Sequence, residues 1–552
     1  MFTTYIQDRN YIDWNITPHS PLKENPSQYK LFHEDSFDIE GEKVVLKSSP
    51  IRTTINIPGI IILEKNRSYG RTNNNKRLFY KCIPHNLSYP SFLIPYEIPI
   101  GFNKNFRNKF VTFRFDSWND KHPHGILSQT IGDIDDLNAF YEYQLYCRGL
   151  HQPITPAIKQ CKQIFQKRTR DEWIEYIISY PARFGNILQD DTKYIFSIDP
   201  EDCTDRDDSL SIVQISETSY KVTVYIANVW IWIEAFDLWD SIGQRISTIY
   251  LPDKKRSMLP SIVSEDCCSL DAGKRCFVIA ADFYVENNVI KSVSNPVQKI
   301  ITIHKQFHYD DSKLYHYSSY STLETITKQL DHSVQDSHDT VAYWMTKMNI
   351  AAAEWLMKHQ CGIFRITQSR EKSVTTNIHT TMNSFIRIWE QKLSGKYIVY
   401  KPDEVFYHDS MQVNGYVHFT SPIRRMIDVI NHMYWVSASI EFSNTAKTFL
   451  DKFQKNITEI NDTMNRIKKV QNECSILCQV MNEPDILNKS YEALVLEQLS
   501  DRIYSVYIQE LKWIAKVYSD TYLDKYSSVS CTIYIFSKEE QLRKKIRVNL
   551  IS

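Results

Sequence analysis

The chain lacks an excess of charge of either sign. Lys+Arg and Asp+Glu both total 65, so the formal net charge is +0 at pH 7. This excludes a global basic field, and a nucleic-acid partner would have to meet local positive charge lining a groove. Local clusters exist, such as the basic residues at 254–256, although a solvated surface is the default interpretation of any one of them.

Zinc-type cysteine pairs and export signals are also missing. The 11 cysteines include no C-x-x-C pair, and Cys474 and Cys478 have no second pair to complete a zinc site or a disulfide framework. The N-terminal stretch MFTTYIQDRN lacks the apolar core of a signal peptide, and no uncharged apolar run reaches the ~18 residues that span a bilayer. We therefore expect an intracellular protein, cytoplasmic in the simplest case, without a membrane partner.

The most informative feature that is present is an acidic run at 195–208, IFSIDPEDCTDRDD. Its aspartates are Asp199, Asp202, Asp205, Asp207 and Asp208. Like charges at this density repel one another and raise each other's pKa, unless a divalent cation lies among the oxygens. A calcium loop starting at Asp205 would need Gly and Glu where Leu210 and Ser216 stand. A hard-cation site is our interpretation, with a solvated loop as the alternative.

A chain of 552 residues is too long for one compact core, so we expect several domains. Runs at 57–63, 77–83 and 110–118 indicate strands of a small β-barrel such as an OB-fold, which binds single strands or serves an architectural role. Residues 1–50 show no period. Strand candidates between 493 and 551 predict a second OB-like barrel. The predicted domains are 1–150, 151–487 and 488–552.

Three further elements are predicted in the central part. The run KVTVYIANVWIWI at 221–233 has the character of a buried strand, and 336–358 has helical spacing. Ser421 and Pro422 suit the N-cap and first position of another helix. Arg424 would then lie in the first turn and face an anion, with pairing to a structural carboxylate as the alternative.

A metal held only by carboxylates suits phosphoryl chemistry. Two divalent ions about 3.5–4 Å apart can activate water and stabilise the leaving oxygen of a phosphodiester. A cationic side chain such as Arg424 would neutralise the charge that develops on the phosphorus.

Three motifs carry a family resemblance: IDPEDCTDRDDSL at 198–210, IYLPDKKRSMLPSIVSEDCCSL at 249–270 and YVHFTSPIRRMIDVINH at 416–432. Together they resemble the RNB-domain exoribonucleases, the ribonuclease II and R family that includes the exosome's catalytic subunit. The resemblance implies an α+β multidomain fold. In it a central mixed α/β RNB catalytic domain is flanked by OB-type β-barrels, one cold-shock-like and one of the ribosomal-protein type.

The resemblance also implies a cofactor and its ligands. Asp199, Asp205, Asp207 and Asp208 match the acidic positions that hold catalytic Mg²⁺, for which Mn²⁺ can substitute. Asp207 matches the position most closely tied to catalysis.

Other matches imply contacts with single-stranded RNA as the partner. Tyr250 matches the tyrosine that stacks near the RNA 3′ end, and Arg424 the arginine that contacts the scissile phosphate, with Arg425 beside it. Glu473 and Phe364 are weaker matches, to a glutamate near the 3′ end and to a second aromatic clamp. The implied reaction is hydrolysis from the 3′ end to nucleoside 5′-monophosphates.

Two departures from the family pattern lie just after the 221–227 run. Asn228 stands where the family usually has aspartate, and Trp230-Ile231 where it has a serine-histidine pair. We expect altered RNA contacts or packing, with activity retained. The alternatives to an active exoribonuclease are a catalytically weak RNA-binding pseudoenzyme and an RNA maturation factor.

Overall fold

A computed structural model describes most of the chain, in ten stretches. They are residues 1–19, 22, 24–41, 43–72, 77–98, 106–192, 194–367, 395–409, 411–538 and 543–551. The chain divides into two compact units, the first made of residues 1–151, 251–254 and 468–552 and the second of residues 152–250 and 255–467. The predicted terminal domains both fall in the first unit, and the second covers most of the predicted central domain.

The N-terminal residues form a small antiparallel sheet of order β2-β1-β3-β4. Its strands are β1 Phe2–Ile6, β2 Trp14–Thr17, β3 Ser36–Glu40 and β4 Lys43–Ser48, followed by helix α1 Pro50–Thr53. The sequence of residues 1–50 shows no period that would predict these strands. Strands of 4 to 6 residues are too short for an alternating pattern to stand out from polar surroundings.

The predicted first barrel is present as a closed five-stranded barrel of order β5-β6-β7-β9-β8. Its strands are β5 Ile57–Ile61, β6 Leu78–Pro84, β7 Phe92–Tyr96, β8 Lys109–Ser117 and β9 His124–Asp133, with a short 3₁₀ turn at Glu64–Asn66. Alternate residues of β6 and β7, such as Tyr80 and Phe92, are buried inside. Helix α2 Leu137–Cys147 follows the barrel.

The second unit is built on an eight-stranded mixed sheet. Its elements up to the sheet's last strand are α3 Thr155–Phe165, α4 Arg170–Ser179, α5 Pro181–Phe184, β10 Leu188–Gln189, β11 Phe196–Asp199, β12 Asp208–Gln214, β13 Ser219–Ala227, α6 Val229–Ala235, β14 Ile249–Tyr250, β15 Lys255–Arg256, a π-helix at Ile262–Cys268, β16 Arg275–Glu286, β17 Val289–Val293, β18 Val297–Thr302 and β19 Lys305–His308. The sheet order is β10-β18-β16-β13-β12-β11-β19, with β17 paired to β16.

Helices then cover one face of this sheet. The remaining elements of the unit are α7 Ser312–Tyr315, α8 Ser318–Leu330, α9 Ser337–Lys358, β20 Ile363–Ile366, β21 Lys396–Val399, β22 Tyr407–His408, β23 Val413–Asn414, α10 Met426–Val436, α11 Asn444–Lys455 and the start of α12 Ile457–Asn482. Buried side chains of β12 and β13 share a core with Trp344 and Met348 of α9. The predicted helix at 336–358 is confirmed.

The prediction of one strand over 221–233 is wrong in its second half. Strand β13 ends at Ala227, and Val229–Ala235 forms α6, with Asn228 at its N-cap. All seven residues of α6 are buried. A segment that is apolar on every side shows no period, so the pattern could not separate a buried helix from a buried strand.

The predicted start of the helix after Ser421 is also wrong. Helix α10 begins at Met426 with Arg425 at its N-cap, and residues 422–424 form a turn. Carboxylates accept the N–H groups there, since Asp428 Oδ1 binds the Ser421 N–H at 2.8 Å and Asp207 Oδ1 binds the Ile423 N–H at 2.7 Å. These two N–H groups therefore bind carboxylate side chains of the chain, and they do not form an anion site at a helix N-terminus.

The C-terminal part confirms a second OB-type element. Its strands are β24 Ser490–Ser500, β25 Ile503–Ile508, β26 Trp513–Tyr518, β27 Ser528–Lys538 and β28 Arg543–Leu550, after a 3₁₀ turn at Pro484–Asn488. The strand order is β26-β25-β24-β27-β28. The first barrel has the corresponding order when it is read as β7-β6-β5-β8-β9. Among the described residues, no helix has the length and apolar character that crossing a membrane requires.

Asn431 of α10 ties two chain segments to the helix. Its Nδ2 donates to the carbonyl oxygens of Ile363 at 3.0 Å and His418 at 2.9 Å, and its Oδ1 accepts from the Ile363 N–H at 2.8 Å. Asn431→Leu would leave these buried backbone groups without partners, at about 1–3 kcal/mol each. We expect a loss of several kcal/mol of unfolding free energy in urea titrations. Asn465→Leu, at an exposed position of α12, is the control, and an equal loss there would contradict this role.

Candidate active site

The acidic run lies at one edge of the large sheet. Strands β11 and β12 are antiparallel neighbours with Phe196 opposite Leu210, so the loop between them brings Asp199 at the end of one strand close to Asp208 at the start of the other. The sharp return places the loop's carboxylates against the apolar strands that precede and follow it.

Asp207 connects this loop to the turn before α10. It is 5% exposed, and its carboxylate accepts the Ile423 N–H at Oδ1 (2.7 Å) and the Arg424 Nε–H at Oδ2 (3.3 Å). The two partners are separated from Asp207 by more than 200 positions in the chain. Two of the resembling motifs thus meet at a single carboxylate.

Arg424 keeps part of its side chain at the surface. Its side chain is 48% exposed, and Nη2 donates to Ser421 Oγ at 3.0 Å. Arg424 does pair with a carboxylate, as the alternative to anion binding predicted. The carboxylate is that of Asp207, a candidate metal ligand and not a structural group. A half-exposed cation bound on one side to the candidate metal loop can still receive an anion on its other side.

Arg425 has a different environment from Arg424. Its Nη2 donates to Asp428 Oδ1 at 2.9 Å and its Nε lies 2.9 Å from Asp428 Oδ2, while the Asp428 side chain is fully buried. The predicted contact of Arg425 with RNA receives no support from this geometry, because the guanidinium is occupied in holding the turn to the first residues of α10.

Tyr250 lies beside these groups on the short hairpin β14–β15. Burial raises the pKa of its phenol to about 12, with Asp205 and Asp207 raising it and Arg424 lowering it. The residue is still 46% exposed. The hairpin also carries Lys255, whose Nζ lies 2.7 Å from Asp205 Oδ1.

Asp199 has one carboxylate oxygen that lacks a donor. Among the described residues, its buried Oδ2 has no hydrogen-bond partner and lies 3.8 Å from the Nε of Arg206, whose Nη1 binds Asp271 Oδ1 at 2.9 Å. An acceptor in such a position costs free energy unless a cation or water meets it.

The field of the cluster favours a bound cation. Burial raises the pKa of Asp199 to about 6 and that of Asp207 to about 7. It raises the pKa of Asp208 well above the usual range, and the charges of Asp199 and Asp207 raise it further. These shifts mean that burial penalises the ionised form of all three carboxyl groups.

The donor chemistry fits Mg²⁺, since all four side chains offer hard carboxylate oxygens and one buried oxygen is without a donor. The carboxylates are not gathered into a ligand set, however. Within the described stretches, no three His, Cys, Asp or Glu side chains form a group that could hold a metal ion. Cations of the chain itself pair with them instead, namely Arg206 with Asp199, Lys255 with Asp205 and Arg424 with Asp207.

The predicted stacking role of Phe364 is contradicted. Its side chain is 0% exposed in β20 and packs on Phe406, with ring centroids 4.5 Å apart. No face of the ring is free for a base. The run around it is apolar, and an isolated aromatic match could not distinguish a core residue from a clamp.

Glu473 is not part of this cluster's unit. It lies on α12 within the first unit, where its carboxylate pairs with Arg148. Its predicted role near the RNA 3′ end stays a prediction.

Tyr309 is a residue that sequence reasoning missed. Its N–H donates to the Asp199 carbonyl oxygen at 3.2 Å, and Asp208 and Asp199 both raise the pKa of its phenol, which burial already raises. It directly follows β19, which runs parallel to β11 with His308 opposite Asp199. The position could be found only by knowing which strands pair.

Comparison with known proteins bears on this geometry. The family profile described as RNB domain matches residues 189–316 and 315–439, which include the acidic run, Tyr250 and Arg424. The central part of this chain is an RNB domain. The resemblance noted in its three motifs is thereby confirmed.

Several curated proteins are similar in sequence to this chain. The exosome complex exonuclease RRP44 homolog A of Arabidopsis thaliana is 21% identical over 445 residues, 66% of this chain and 46% of that protein. Ribonuclease R of Buchnera aphidicola is 23% identical over 335 residues, 46% of each chain. This chain therefore spans less than half the length of these relatives.

Solved structures share the fold. Mycoplasma genitalium RNase R in complex with ribose-methylated single-stranded RNA has a TM-score of 0.70 at 15% identity, covering 100% of both chains. Yeast Ssd1, described as a pseudonuclease, has a TM-score of 0.56 at 16% identity, covering 94% of this chain and 73% of that one. Identities this low establish the architecture: a mixed α/β RNB domain with OB-type barrels.

The two departures inside the RNB domain are explained by packing. Asn228 Nδ2 donates to Gln298 Oε1 at 2.8 Å, and Gln298 in turn donates to the Phe184 carbonyl oxygen at 2.9 Å. Trp230 is fully buried and contacts Phe442, with ring centroids 6.0 Å apart. These side chains belong to the interior, and the expected effect of the two departures on RNA contacts or activity stays a prediction.

We expect substitutions of the two adjacent arginines, Arg424 and Arg425, to lower the free energy of unfolding by different amounts. Arg425→Met would leave the buried Asp428 carboxylate unpaired, which costs about 3–5 kcal/mol. Arg424→Met also leaves a buried carboxylate, but burial has already raised the pKa of Asp207 to about 7. Asp207 can therefore take up a proton near neutral pH, so the loss of unfolding free energy should be smaller. Urea unfolding of the two variants measures the difference. Equal losses would contradict the division of roles between Arg424 and Arg425.

Proposed function

We propose that the chain is a Mg²⁺-dependent 3′→5′ exoribonuclease that hydrolyses single-stranded RNA to nucleoside 5′-monophosphates. The observation that supports this most is the contact of Arg424 with Asp207, next to the half-exposed Tyr250. A carboxylate, a cation for phosphate and a ring for a base then share one edge of an RNB domain. Names of relatives support it as well, since several are exonucleases.

Asp199, Asp205, Asp207 and Asp208 are the side chains that would hold Mg²⁺, with Mn²⁺ able to substitute. When bound, such ions activate water and stabilise the leaving oxygen of a phosphodiester. Burial of Asp207 and Asp208 supports the assignment, because it makes their uncompensated charge costly.

Arg424 is the group that would bind the scissile phosphate. Asp207 accepts its Nε–H and Ser421 Oγ accepts from its Nη2, so two contacts fix the plane of the guanidinium. An already oriented cation stabilises charge that develops in the transition state without reorganisation.

Tyr250 would hold the base at the 3′ end. Tyr250 is 46% exposed on a short hairpin, and stacking of an aromatic ring on a base contributes about 1–3 kcal/mol per base without sequence preference. The OB-type barrels are of a class that binds single strands. RNA as partner is supported by the solved complexes of Mycoplasma genitalium RNase R with single-stranded and double-stranded RNA.

An RNA-binding pseudoenzyme is the second candidate. Two observations favour it: yeast Ssd1, a pseudonuclease, shares the fold, and each of three candidate ligands is paired with a cation of the chain. An RNA maturation factor is compatible with either state of the site. The exoribonuclease remains our proposal because all four aspartates and Arg424 are retained.

A degradation assay separates the candidates. We expect 5′-labelled single-stranded RNA with Mg²⁺ to give a ladder that shortens from the 3′ end, and Asp207→Asn to lower the rate at least about 100-fold, as loss of one transition-state group does. Asp202→Asn, exposed in the same loop, is the control. RNA that stays intact yet is retained on the wild-type protein would support the pseudoenzyme. A DNA strand of the same sequence tests recognition of the 2′-OH.

A binding series tests the stacking role of Tyr250. Tyr250→Ala should weaken binding of a short single-stranded RNA about 5- to 100-fold, and Tyr250→Phe should bind nearly as the wild type, since a stacked ring does not need the hydroxyl. Fluorescence anisotropy in the Asp207→Asn background measures Kd without degradation. Tyr180→Ala, at an exposed tyrosine of the same unit, is the control. Unchanged affinity in Tyr250→Ala would refute the stacking role.

A further inference from the structure

Lys255 connects the acidic loop to the π-helix Ile262–Cys268 through its ammonium group. Nζ lies 2.7 Å from Asp205 Oδ1, 2.6 Å from Thr204 Oγ1 and 3.3 Å from Glu265 Oε1. The Thr204 hydroxyl in turn donates to Glu265 Oε1 at 3.1 Å. One ammonium group therefore lies between two carboxylates, of which only Asp205 is a candidate metal ligand.

The other two cations of the cluster are not placed in this way. Arg206 is nearer to Asp271 (2.9 Å) than to Asp199 (3.8 Å), so its closer ion pair is with a carboxylate that is not a candidate metal ligand. Arg424 is paired with Asp207 and oriented by the Ser421 hydroxyl. Lys255 is the cation that binds a candidate ligand most closely and has a second carboxylate within reach.

Glu265 has little other use for its charge. Within the described residues, Lys255 is the cation that pairs with its carboxylate, while Lys274 donates at 3.5 Å to its backbone oxygen. Glu265 is part of a π-helix, an uncommon form that occurs frequently at functional sites. The lysine can therefore leave Asp205 without losing a counter-charge.

We propose that Lys255 is a positioning residue that neutralises Asp205 when no metal is bound and moves to Glu265 when a divalent cation takes the Asp205 oxygen. A divalent metal ion and the Lys255 ammonium group repel each other when both lie at the Asp205 carboxylate. The metal ion must therefore displace Lys255 in order to bind. Glu265 reduces the cost of this displacement by accepting the lysine. This inference rests on the proposed function, since it requires that Asp205 is a metal ligand.

Metal-binding measurements with two variants of opposite effect test the proposal. The full chain, stripped with chelator, is titrated with Mg²⁺ by calorimetry and with Mn²⁺ by electron paramagnetic resonance. Lys255→Met should bind both ions about threefold tighter or more, because the competing charge is gone. Glu265→Gln should bind them weaker by a similar factor, because Lys255 then has only Asp205 as a partner. These factors correspond to a partly exposed ion pair.

The double variant and a control make the assignment specific. Because Glu265 acts through Lys255, the variant with both substitutions should bind Mg²⁺ as Lys255→Met does. Lys328→Met, which removes a lysine paired with Glu324 on α8, should leave metal binding unchanged. Thermal unfolding with and without Mg²⁺ reports folding of each variant, and the rise in Tm on adding Mg²⁺ should be larger for Lys255→Met than for the wild type.

The outcomes separate this proposal from the proposed function. Opposite shifts of Lys255→Met and Glu265→Gln support it. A wild-type protein that binds Mg²⁺ and degrades RNA, with a Lys255→Met variant that binds the ion equally or more weakly, overturns the role of Lys255 and leaves the exoribonuclease standing. A wild-type protein that neither binds Mg²⁺ or Mn²⁺ nor shortens RNA overturns both.

Discussion

The contact between Asp207 and the turn before α10 is the interaction on which the site depends. One buried carboxylate accepts a backbone N–H from Ile423 and a guanidinium N–H from Arg424, and so joins segments more than 200 positions apart. The turn that makes this contact precedes α10, which starts at Met426. The contact holds Arg424 beside the acidic loop.

Electrostatic compensation links the remaining features of the site. Burial makes the charges of Asp199, Asp207 and Asp208 costly, and each paired carboxylate is matched to a cation from a different position in the RNB domain. Buried charges of this kind must be paired or metal-bound. The distinction between a working nuclease and an inert RNA-binding protein thus becomes a question of whether a divalent ion can replace the chain's own cations.

Much of the site could be predicted from the sequence, because its chemistry is concentrated in short motifs. The acidic run, Tyr250 and Arg424 lie together as expected, and the first barrel, the C-terminal OB-type sheet and helix α9 are present. Other features depend on pairing that no local pattern reveals. Phe364 is an interior residue, 229–235 is a buried helix without a period, and Tyr309 reaches the loop only because β19 runs parallel to β11.

A double-mutant cycle tests most directly whether Asp207 and Arg424 act as one unit. Single-turnover rates of RNA shortening are measured for the wild type, Asp207→Asn, Arg424→Gln and the variant with both changes. Groups that work together give strongly non-additive effects, so we predict that the double variant is hardly slower than the slower single variant. Rate losses that multiply in the double variant would contradict the account, because the two residues would then contribute independently.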